Sequence, residues 1–424
     1  MSEVGVGLIG LGTVGAVVAR RLVGEWELLS HRAGAIPVLR RAAVRDPSRP
    51  RDLALPTVQL DSDPESLVDD ATVEIVVELM GGVDRASALM ERALRARKPV
   101  VTANKAALAA HGLELAALAV ERGVSLRYEA AVGAGLPVVG VLRDSLRGDR
   151  IAGLEMIINS TTNLILTRME RDHIALHTAV LEAQARGLAE TDPAADVDGH
   201  DAAAKLVLLG RLAFDAPLTT ADVHRVGIGG LTVEDIAGAA RLGGSLKLVA
   251  GAVRDGDVVT LWVRPTVVGA KHPLHGVDGA DNAVLISSDL AGQLRLRGLG
   301  GGGDSTASAV LSDIVATVSS PSTPPPLPSA AAAIGDVADA ERGGYLRVRL
   351  RPRAEAAELV LQALEDRGIP VLGSALLSGA DGGTELVLLT GAVQRAMLER
   401  ATETLDSLPA VAEVAAVMDW AGPA

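Results

Sequence analysis

The amino-terminal third of the chain alternates short apolar runs with amphipathic stretches of helical period. The apolar runs predict strands at residues 3–9, 36–44, 73–79, 99–103 and 124–132. The stretches between them predict helices, for example at residues 16–29, 86–97 and 106–123. Strands that alternate with helices form βαβ units on a parallel sheet, and right-handed crossovers favour a doubly wound, Rossmann-type α/β fold.

The pattern changes after residue 136, where longer helical stretches are interspersed with strands. We interpret residues 1–135, completed by a helix at 304–318, as the first domain and residues 136–303 as a mixed α+β domain. The Pro, Ser and Ala bias of residues 319–343 is typical of a semi-rigid linker. Residues 344–424 then predict the order βαββαβ of a ferredoxin-like domain.

Composition narrows the classes of function. The formal net charge of −13 disfavours nucleic acid or an anionic membrane as a partner, because the field of the molecule repels polyanions. The chain has no cysteine, which excludes disulfides, thiolate metal sites and a catalytic thiol. It also lacks a long uninterrupted apolar run and a basic signal-peptide region, so we expect a soluble, cytoplasmic protein.

A glycine fingerprint follows the first predicted strand. Gly10, Gly12 and Gly15 have the spacing GxGxxG, and Thr13 and Val14 open the helix that follows. In this motif the first glycine forms a tight turn, the second lets a pyrophosphate approach the backbone, and the third lets helix and strand pack closely. The helix N-terminus then faces the phosphates. We interpret the motif as a dinucleotide-binding site; the alternative is a glycine-rich turn without function.

Arginines cluster at the end of the second predicted strand, where a Rossmann-type sheet meets the ribose of its cofactor. They are Arg40, Arg41, Arg45, Arg49 and Arg51. Arg45 directly ends the strand, at a position where a guanidinium binds a 2′-phosphate and a carboxylate would instead bind the ribose hydroxyl. The sequence therefore favours NADP(H) and leaves NAD(H) open, with a solvated basic loop as the alternative interpretation.

Carboxylates are dense before an apolar helix of the second domain. Asp201 and Lys205 are four residues apart at the start of that helix, so both side chains project from one face. A lysine buried beside carboxylates is a candidate proton donor, whereas an exposed pair at this spacing contributes only a few tenths of a kcal/mol. Lys105 is a second candidate, because it follows the strand at 99–103, at the carboxyl edge where such sheets bind ligands.

These motifs together resemble the homoserine dehydrogenase family, in the bacterial form that carries a C-terminal ACT domain. The resemblance covers essentially the whole chain and rests on GLGTVG at 10–15, VELMGG at 77–82, TANK at 102–105, YEAAVGAGLP at 128–137, INSTTN at 158–163, GLAETDPAADVDGHDAAAK at 187–205 and GLGGGGDSTAS at 298–308. It implies reversible, NAD(P)H-dependent reduction of L-aspartate 4-semialdehyde to L-homoserine, on the branch towards threonine, methionine and isoleucine. It also implies a homodimer or homotetramer and an amino-acid effector at the ACT-like domain.

The resemblance assigns roles to residues at matching positions. Lys205 matches the proton donor, Lys105 a lysine that contacts substrate and nicotinamide ribose, and Gly302 a glycine whose loop approaches the cofactor. The implied substrate contacts are Gly187, Glu190, Asp196 and Asp201. A sodium site made mostly of backbone carbonyls is implied at Glu129, Val132, Ala134 and Leu136. Oxygen ligands suit such a hard cation.

The chain departs from the family pattern at two places. Ser160 stands where the family has the glycine of an Asn-Gly pair, near the substrate. Arg351-Pro352-Arg353 replaces the usual Pro-Gly before the first ACT helix, so the sequence does not predict feedback inhibition by threonine.

Two other functions are alternatives to the dehydrogenase. A semialdehyde dehydrogenase that oxidises through a thiohemiacetal is excluded by the absence of cysteine. A non-catalytic, dinucleotide-binding sensor of amino acids is the alternative from another class. Glu190, Asp201 and Lys205 together disfavour it, because a sensor needs no proton donor.

Overall fold

The computed structural model describes residues 1–51, 55, 58–185, 192–328, 332–379 and 382–422. The chain divides into two compact units. The first comprises Met1–Arg150, Val207–Thr220 and Leu296–Ala331, and the second comprises Ile151–Leu206, Ala221–Arg295 and Ala332–Ala424. The division into the four segments 1–135, 136–303, 319–343 and 344–424 stays a prediction.

The described residues form the following strands and helices. In chain order the strands are β1 (Glu3–Ile9), β2 (Ile36–Ala43), β3 (Gln59–Asp61), β4 (Ile75–Glu78), β5 (Val100–Thr102), β6 (Leu126–Arg127), β7 (Ile151–Ile157), β8 (Val223–Arg225), β9 (Gly244–Asp255), β10 (Val258–Gly269), β11 (Asp281–Ser288), β12 (Gln293–Leu299), β13 (Ala333–Ile334), β14 (Glu341–Leu350), β15 (Val371–Ser378), β16 (Thr384–Thr390), β17 (Val393–Gln394) and β18 (Val411–Ala421).

The helices are likewise numbered in chain order. They are α1 (Thr13–Gly24), α2 (Trp26–Ala33), α3 (Pro64–Asp69), α4 (Asp84–Arg95), α5 (Lys105–Arg122), α6 (Ser160–Asp172), α7 (Leu176–Ala185), α8 (Ala194–Val197), α9 (His200–Phe214), α10 (Val233–Arg241), α11 (Gly303–Ser319), α12 (Ala356–Glu365) and α13 (Arg395–Asp406). Among the described residues, no helix combines the length and the apolar character that a bilayer crossing requires.

The first unit is built on a parallel sheet with the strand order β3-β2-β1-β4-β5-β6. β1 pairs in parallel with β2 on one side and with β4 on the other, so the chain switches direction across the sheet at β1. Val6 and Leu8 of β1 are fully buried, as expected of a strand that is covered on both faces. The doubly wound α/β fold predicted from the sequence is confirmed. Ligands of such sheets bind at the carboxyl edge beside the switch point.

Two predicted elements of the first unit differ in extent. The helix predicted at 16–29 is divided into α1 and α2, because Glu25 leaves the helical region with a φ of −128°. The strand predicted at 124–132 ends at Arg127, since the backbone turns into a short 3₁₀ helix at Glu129–Ala131. The predicted sodium ligands therefore lie on a turn and a loop rather than on a strand.

The second unit is organised around a mixed sheet with the order β12-β11-β7-β9-β10-β18-β14-β16-β15. The long antiparallel pair β9 and β10 lies near its centre, with Gly244 opposite Gly269. β18 pairs in parallel with β10, with Asp419 opposite Thr266, so the C-terminal strands continue the same sheet. The main elements from β14 to β18 follow the βαββαβ order predicted from the sequence.

A buried arginine joins α10 to the C-terminal strands. Arg347 on β14 donates hydrogen bonds to Asp235 at 2.9 Å and to Glu385 at 3.0 Å, and all three residues are buried. Asp235 also forms the capping box that begins α10 after Thr232. Loss of one partner would leave a buried charge uncompensated, so this cluster holds α10 against β14.

The hydroxyl group of Tyr345 lies near this cluster. The side chain is fully buried, and its oxygen has no hydrogen-bond partner among the described residues. A buried polar atom without a partner costs about 1–3 kcal/mol, so we expect Tyr345→Phe to raise the free energy of unfolding by about 1 kcal/mol. Urea unfolding should show a higher midpoint with a constant m-value. An unchanged or lower midpoint would mean that the hydroxyl makes a stabilising contact.

Candidate active site

The glycine fingerprint forms the turn between β1 and α1. Gly10 has a φ of +105°, and a Cβ there would lie 2.7 Å from the carbonyl oxygen of Leu79. A Cβ on Gly15 would lie 2.0 Å from the carbonyl oxygen of Gly10, so helix and strand touch at this residue. The Cβ position of Gly12, by contrast, is surrounded by open space. The fold needs the first and third glycines, while the second leaves room for a ligand.

The start of α1 provides hydrogen-bond donors beside this turn. Gly12 is the N-cap residue, and Thr13 and Val14 form the first turn of the helix. The first N–H groups of a helix have no acceptor within the helix, and the helix dipole favours an anion there. These two residues are therefore suited to bind the pyrophosphate of a dinucleotide.

A cavity of about 540 Å³ opens at the carboxyl ends of β1, β2 and β4. The glycine turn lines one part of it, and the rest includes Arg45, Arg49, Arg51 and Arg85. This volume is within the range of small-molecule sites, and the basic lining suits an anionic ligand. The cavity therefore combines the predicted cofactor turn with part of the predicted arginine cluster.

The arginines at this edge differ in what they bind. Arg41 is buried and forms an ion pair with Asp70 at 3.0 Å. Arg51 donates hydrogen bonds to the backbone oxygens of Asp46 at 2.7 Å and of Arg49 at 2.8 Å. Arg45 is exposed at the cavity and forms no ion pair with the described residues. Arg45 therefore presents a guanidinium at the cavity that can meet a ligand phosphate.

Glu78 is a buried carboxylate at the end of β4 whose role was not predicted from the sequence. Glu78 accepts hydrogen bonds from Thr102 Oγ1 at 2.6 Å and from the backbone nitrogen of Met80 at 2.8 Å. Burial raises the pKa of Glu78, and the hydrogen bonds from Thr102 and Met80 oppose this shift. Glu78 thereby ties the loop at Met80, which lines the cavity, to the end of β5. A carboxylate that ends an apolar run is the sequence signal that could have identified it.

Lys105 is the first residue of α5, at the carboxyl edge of the parallel sheet. The preceding Asn104 caps the helix by accepting a hydrogen bond from the backbone nitrogen of Ala107 at 3.1 Å. The Asn104 amide also donates to the backbone oxygen of Gly82 at 2.7 Å. These contacts fix the backbone from which the half-buried Lys105 side chain extends. Its contact with substrate and cofactor stays a prediction.

Gly302 precedes α11 as its N-cap residue, with a φ of +109°. Its backbone oxygen accepts a hydrogen bond from the backbone nitrogen of Thr306 at 3.1 Å. A Cβ on the next residue, Gly303, would lie 2.7 Å from Cγ2 of Thr13. The Gly-rich loop therefore packs against the start of α1, where the predicted cofactor turn also lies.

In the second unit, the ammonium group of Lys205 is buried together with Asp201. Both residues lie on α9, with Lys205 Nζ 2.9 Å from Asp201 Oδ2 and with relative exposures of 9% and 6%. Nζ also donates a hydrogen bond to the backbone oxygen of Ile158 at 2.9 Å. The alternative of an exposed ion pair is therefore wrong. Because an ammonium group has three N–H bonds, it can engage one acceptor beyond these two described partners.

Asn159 links two carboxylates of the predicted substrate segment. Its amide nitrogen donates to Asp196 Oδ1 at 2.6 Å and to Asp201 Oδ2 at 2.8 Å. Its Oδ1 accepts a hydrogen bond from the backbone nitrogen of Thr162 at 2.8 Å, as the N-cap of α6. Asn159, Asp196, Asp201 and Lys205 thus belong to one hydrogen-bonded cluster. The role of Asn159 was not predicted from the sequence, although an asparagine before a helix is a capping signal.

Two predicted substrate contacts, Gly187 and Glu190, lie outside the described residues. The predicted sodium ligands, in contrast, are all described. The carboxylate of Glu129 is buried and accepts hydrogen bonds from the backbone nitrogens of Val139 at 2.8 Å and of Gly140 at 2.7 Å. Burial raises its pKa, and these hydrogen bonds oppose the shift.

The loop after Glu129 carries the other three predicted sodium ligands, Val132, Ala134 and Leu136. Ala134 has a φ of +52°, a left-handed conformation that turns the backbone at the middle of this loop. Within the described ranges, no group of three or more His, Cys, Asp or Glu side chains could hold a metal ion. A cation bound here would therefore depend mainly on backbone oxygens, which are hard donors that suit Na⁺.

Comparison with known proteins identifies related families and sequences. Residues 10–129 match the family described as "Homoserine dehydrogenase, NAD binding domain", and residues 137–315 match "Homoserine dehydrogenase". The homoserine dehydrogenase of Bacillus subtilis is 33% identical over 421 residues, which cover 98% of this chain and 97% of the relative. That of Corynebacterium glutamicum is 36% identical over 426 residues, which cover 98% and 95%.

The chain is also similar to solved structures of homoserine dehydrogenases. The crystal structure of a homoserine dehydrogenase from Thiobacillus denitrificans is similar with a TM-score of 0.92 at 34% identity, covering 100% of this chain and 99% of that chain. A hyperthermophilic archaeal homoserine dehydrogenase in complex with NADPH is similar with a TM-score of 0.61 at 28% identity, covering 74% of this chain and 97% of that chain.

The open space at Gly12 allows binding to be tested separately from folding. We expect Gly12→Ala to leave the thermal midpoint of the apoprotein unchanged, since no described atom lies within 4 Å of the Cβ position. The added methyl group should occupy space needed by a pyrophosphate and weaken dinucleotide binding at least about tenfold, or ~1.4 kcal/mol. Thermal melts and fluorescence titration with NADPH measure the two effects.

Gly148→Ala is the matched control, because Gly148 also has open space at its Cβ position but does not line the cavity. If both variants bound NADPH as tightly as the parent protein, Gly12 would not lie beside the pyrophosphate.

Proposed function

Since the chain belongs to the homoserine dehydrogenase family and is an NAD(P)-dependent oxidoreductase, we propose that Lys205 exchanges the proton in the interconversion of L-aspartate 4-semialdehyde and L-homoserine. The observation that supports this role is the buried ammonium group, held at 2.9 Å by both Asp201 and the Ile158 carbonyl. The sensor alternative is not favoured, because a sensor has no use for such a group.

Reduction of the aldehyde requires a hydride at carbon and a proton at oxygen. When bound, the reduced nicotinamide supplies the hydride. As negative charge grows on the aldehyde oxygen, the Lys205 ammonium stabilises it and transfers a proton to form the hydroxyl group. In the reverse direction the neutral amine of Lys205 accepts that proton. Asp201 keeps the amine in place through the contact at 2.9 Å.

We propose that the carboxylates before and at the start of α9 bind the substrate. Asp201 and Glu190 are assigned to its amino and hydroxyl ends, Asp196 adds negative charge nearby, and Gly187 offers a backbone contact. The contacts of Asn159, at 2.6 Å to Asp196 and 2.8 Å to Asp201, support this assignment because they hold two carboxylates in one place. A fixed pair of carboxylates complements the positive charge of an amino acid.

We propose NADP(H) as the preferred cofactor, with Arg45 as the residue that binds its 2′-phosphate. The support is local: Arg45 lines the cavity without an ion pair to the described residues, whereas Arg85 pairs with Glu65 at 3.2 Å. A guanidinium without a carboxylate partner can form charge-assisted hydrogen bonds to a phosphate. The archaeal relative in complex with NADPH is consistent with this preference. Lys105 and Gly302 complete the proposed cofactor contacts.

Two further proposals concern ions and regulation. Na⁺ is proposed to bind the loop of Glu129, Val132, Ala134 and Leu136. The left-handed turn at Ala134 supports this proposal.

Residues 344–424 are proposed to form an ACT-type effector domain. The proposed assembly is a cytoplasmic homodimer or homotetramer of threonine and methionine biosynthesis. The continuity of this segment with β10 supports a link between effector binding and the rest of the sheet.

The role of Lys205 is tested by Lys205→Ala. We expect kcat to fall about 10²–10⁴-fold, or roughly 3–5 kcal/mol of barrier, because the growing negative charge loses its proton donor. The assay follows homoserine-dependent reduction of NADP⁺, with NAD⁺ in parallel. Lys271→Ala is the matched control, since Lys271 is exposed. Near-normal turnover by Lys205→Ala would refute the proposed donor.

The cofactor proposal is tested by Arg45→Ala. We expect the Kd for NADPH to rise about 10- to 100-fold and that for NADH to stay nearly constant, because only NADPH carries the phosphate that Arg45 would bind. Equilibrium titration of both cofactors measures the difference. Arg20→Ala, an exposed change on α1 outside the cavity, should affect neither value. Equal weakening of both cofactors by Arg45→Ala would remove Arg45 from the phosphate site.

A further inference from the structure

The backbone carbonyl of Ile158 accepts hydrogen bonds from two different elements. Lys205 Nζ on α9 donates to it at 2.9 Å, and the side-chain amide of Asn282 on β11 donates at 3.1 Å. Ile158 and Asn282 are both buried. β11 pairs with β7 so that Ala283 lies opposite Ile157, and this register places Asn282 beside Ile158.

Ser160 binds the oxygen end of the Asn282 amide. The Ile158 carbonyl can only accept, so it is met by the NH₂ group of Asn282 at 3.1 Å. The amide oxygen, Oδ1, is then left to accept a hydrogen bond from Ser160 Oγ at 3.1 Å. Ser160 is the residue that replaces the glycine of the family pattern, and a glycine has no side chain for this contact.

We propose that Asn282 is a positioning residue for Lys205, and that Ser160 restrains the Asn282 amide by donating a hydrogen bond to its oxygen. This inference rests on the proposed role of Lys205 as proton donor. The Ile158 carbonyl is one of two described acceptors that fix the Lys205 ammonium, and the second donor on the carbonyl restrains its peptide unit. Asn282 therefore acts on the chemistry without touching the substrate.

We expect loss of Asn282 to slow the chemical step and to leave substrate binding nearly unchanged. A proton donor must lie about 2.6–3.2 Å from the atom that it protonates, so a shift of the ammonium lowers the rate. A misplacement of about 1 Å can cost up to roughly 100-fold. Substrate affinity depends on the proposed carboxylate contacts, which Asn282 does not make, so it should change little.

The test is a double-mutant cycle in the full-length enzyme, with homoserine and NADP⁺ as substrates. We expect Asn282→Ala to lower kcat about 10- to 100-fold while the KM for homoserine changes less than about threefold. In a Lys205→Ala background the same change should lower the residual kcat no more than about twofold, because the group that Asn282 positions is absent. A purely structural role for Asn282 would lower kcat equally in both backgrounds.

Ser160→Ala gives a second, milder variant, since it removes one hydroxyl group from a half-buried position. We expect a loss in kcat of about 2- to 10-fold, equivalent to part of one hydrogen bond, that disappears in the Lys205→Ala background. Ser312→Ala is the matched control, because Ser312 is an exposed helical serine whose Oγ donates only to its own helix, at Ser308. Thermal melts of each variant measure any change in folding.

The outcomes separate this inference from the proposed function. Equal losses from Asn282→Ala in both backgrounds, or a normal kcat, would overturn the positioning role. If Asn282→Ala does not fold, Ser160→Ala tests the inference instead. A loss in kcat that is the same with and without Lys205 would then overturn the positioning role. Near-normal turnover by Lys205→Ala alone would instead refute the proposed donor, and that result does not depend on the cycle.

Discussion

A charged side chain that is removed from water must be given hydrogen-bond partners, and this constraint shapes both compact units. In the second unit, Lys205 is held by Asp201 and the Ile158 carbonyl. In the first, the carboxylate of Glu78 is held by the hydroxyl group of Thr102 at the end of β5 and by the backbone nitrogen of Met80. Each buried charge fixes the segments that provide its partners. The Lys205 ammonium has three N–H bonds and two described acceptors, so one N–H bond can serve a ligand. The proposed proton transfer depends on that bond.

The proposed cofactor site is built from backbone groups, whereas the proposed substrate site is built from charged side chains that need hydrogen-bond partners. The turn at Gly10–Gly15 is shaped by the absence of side chains, since a Cβ at either end of it would collide with a backbone oxygen. Its binding groups are backbone N–H groups, which need no compensation until a phosphate arrives. The cluster around Lys205, in contrast, is built from side chains that neutralise and orient one another. Backbone N–H groups suit a ligand that always carries phosphate. Proton transfer instead requires a side chain that can change its charge.

The C-terminal segment is part of the same sheet as the strands near Lys205. β18 pairs with β10, β10 with β9, and β9 with β7, whose carboxyl end leads into Ile158. Arg347 adds a buried ionic link from β14 to α10. A truncation before β14 would therefore remove strands from a continuous sheet. Regulation through this segment is better studied in the full-length chain.

The sequence by itself determined those features that depend on local periodicity and spacing. Alternation of apolar runs and helical stretches was sufficient for the α/β fold, because strand and helix burial follow periods that are visible in the chain. The glycine spacing located the turn after β1, and the four-residue spacing of Asp201 and Lys205 placed both side chains on one face of α9. The extent of two elements was wrong, where Glu25 and the 3₁₀ turn at Glu129–Ala131 interrupt apolar patterns.

Only the tertiary structure decided whether Lys205 was buried and which groups compensate its charge. Asn159 reaches Asp196 across 37 residues of sequence, and Asn282 reaches the Ile158 carbonyl across 124 residues. Local patterns do not specify such pairs, because a hydrogen bond between distant residues depends on the register of β11 against β7 and on the docking of α9. The four-residue spacing of Asp201 and Lys205 could identify Lys205 as a candidate. The polar partners of its ammonium group are fixed only when the strands and helices pack.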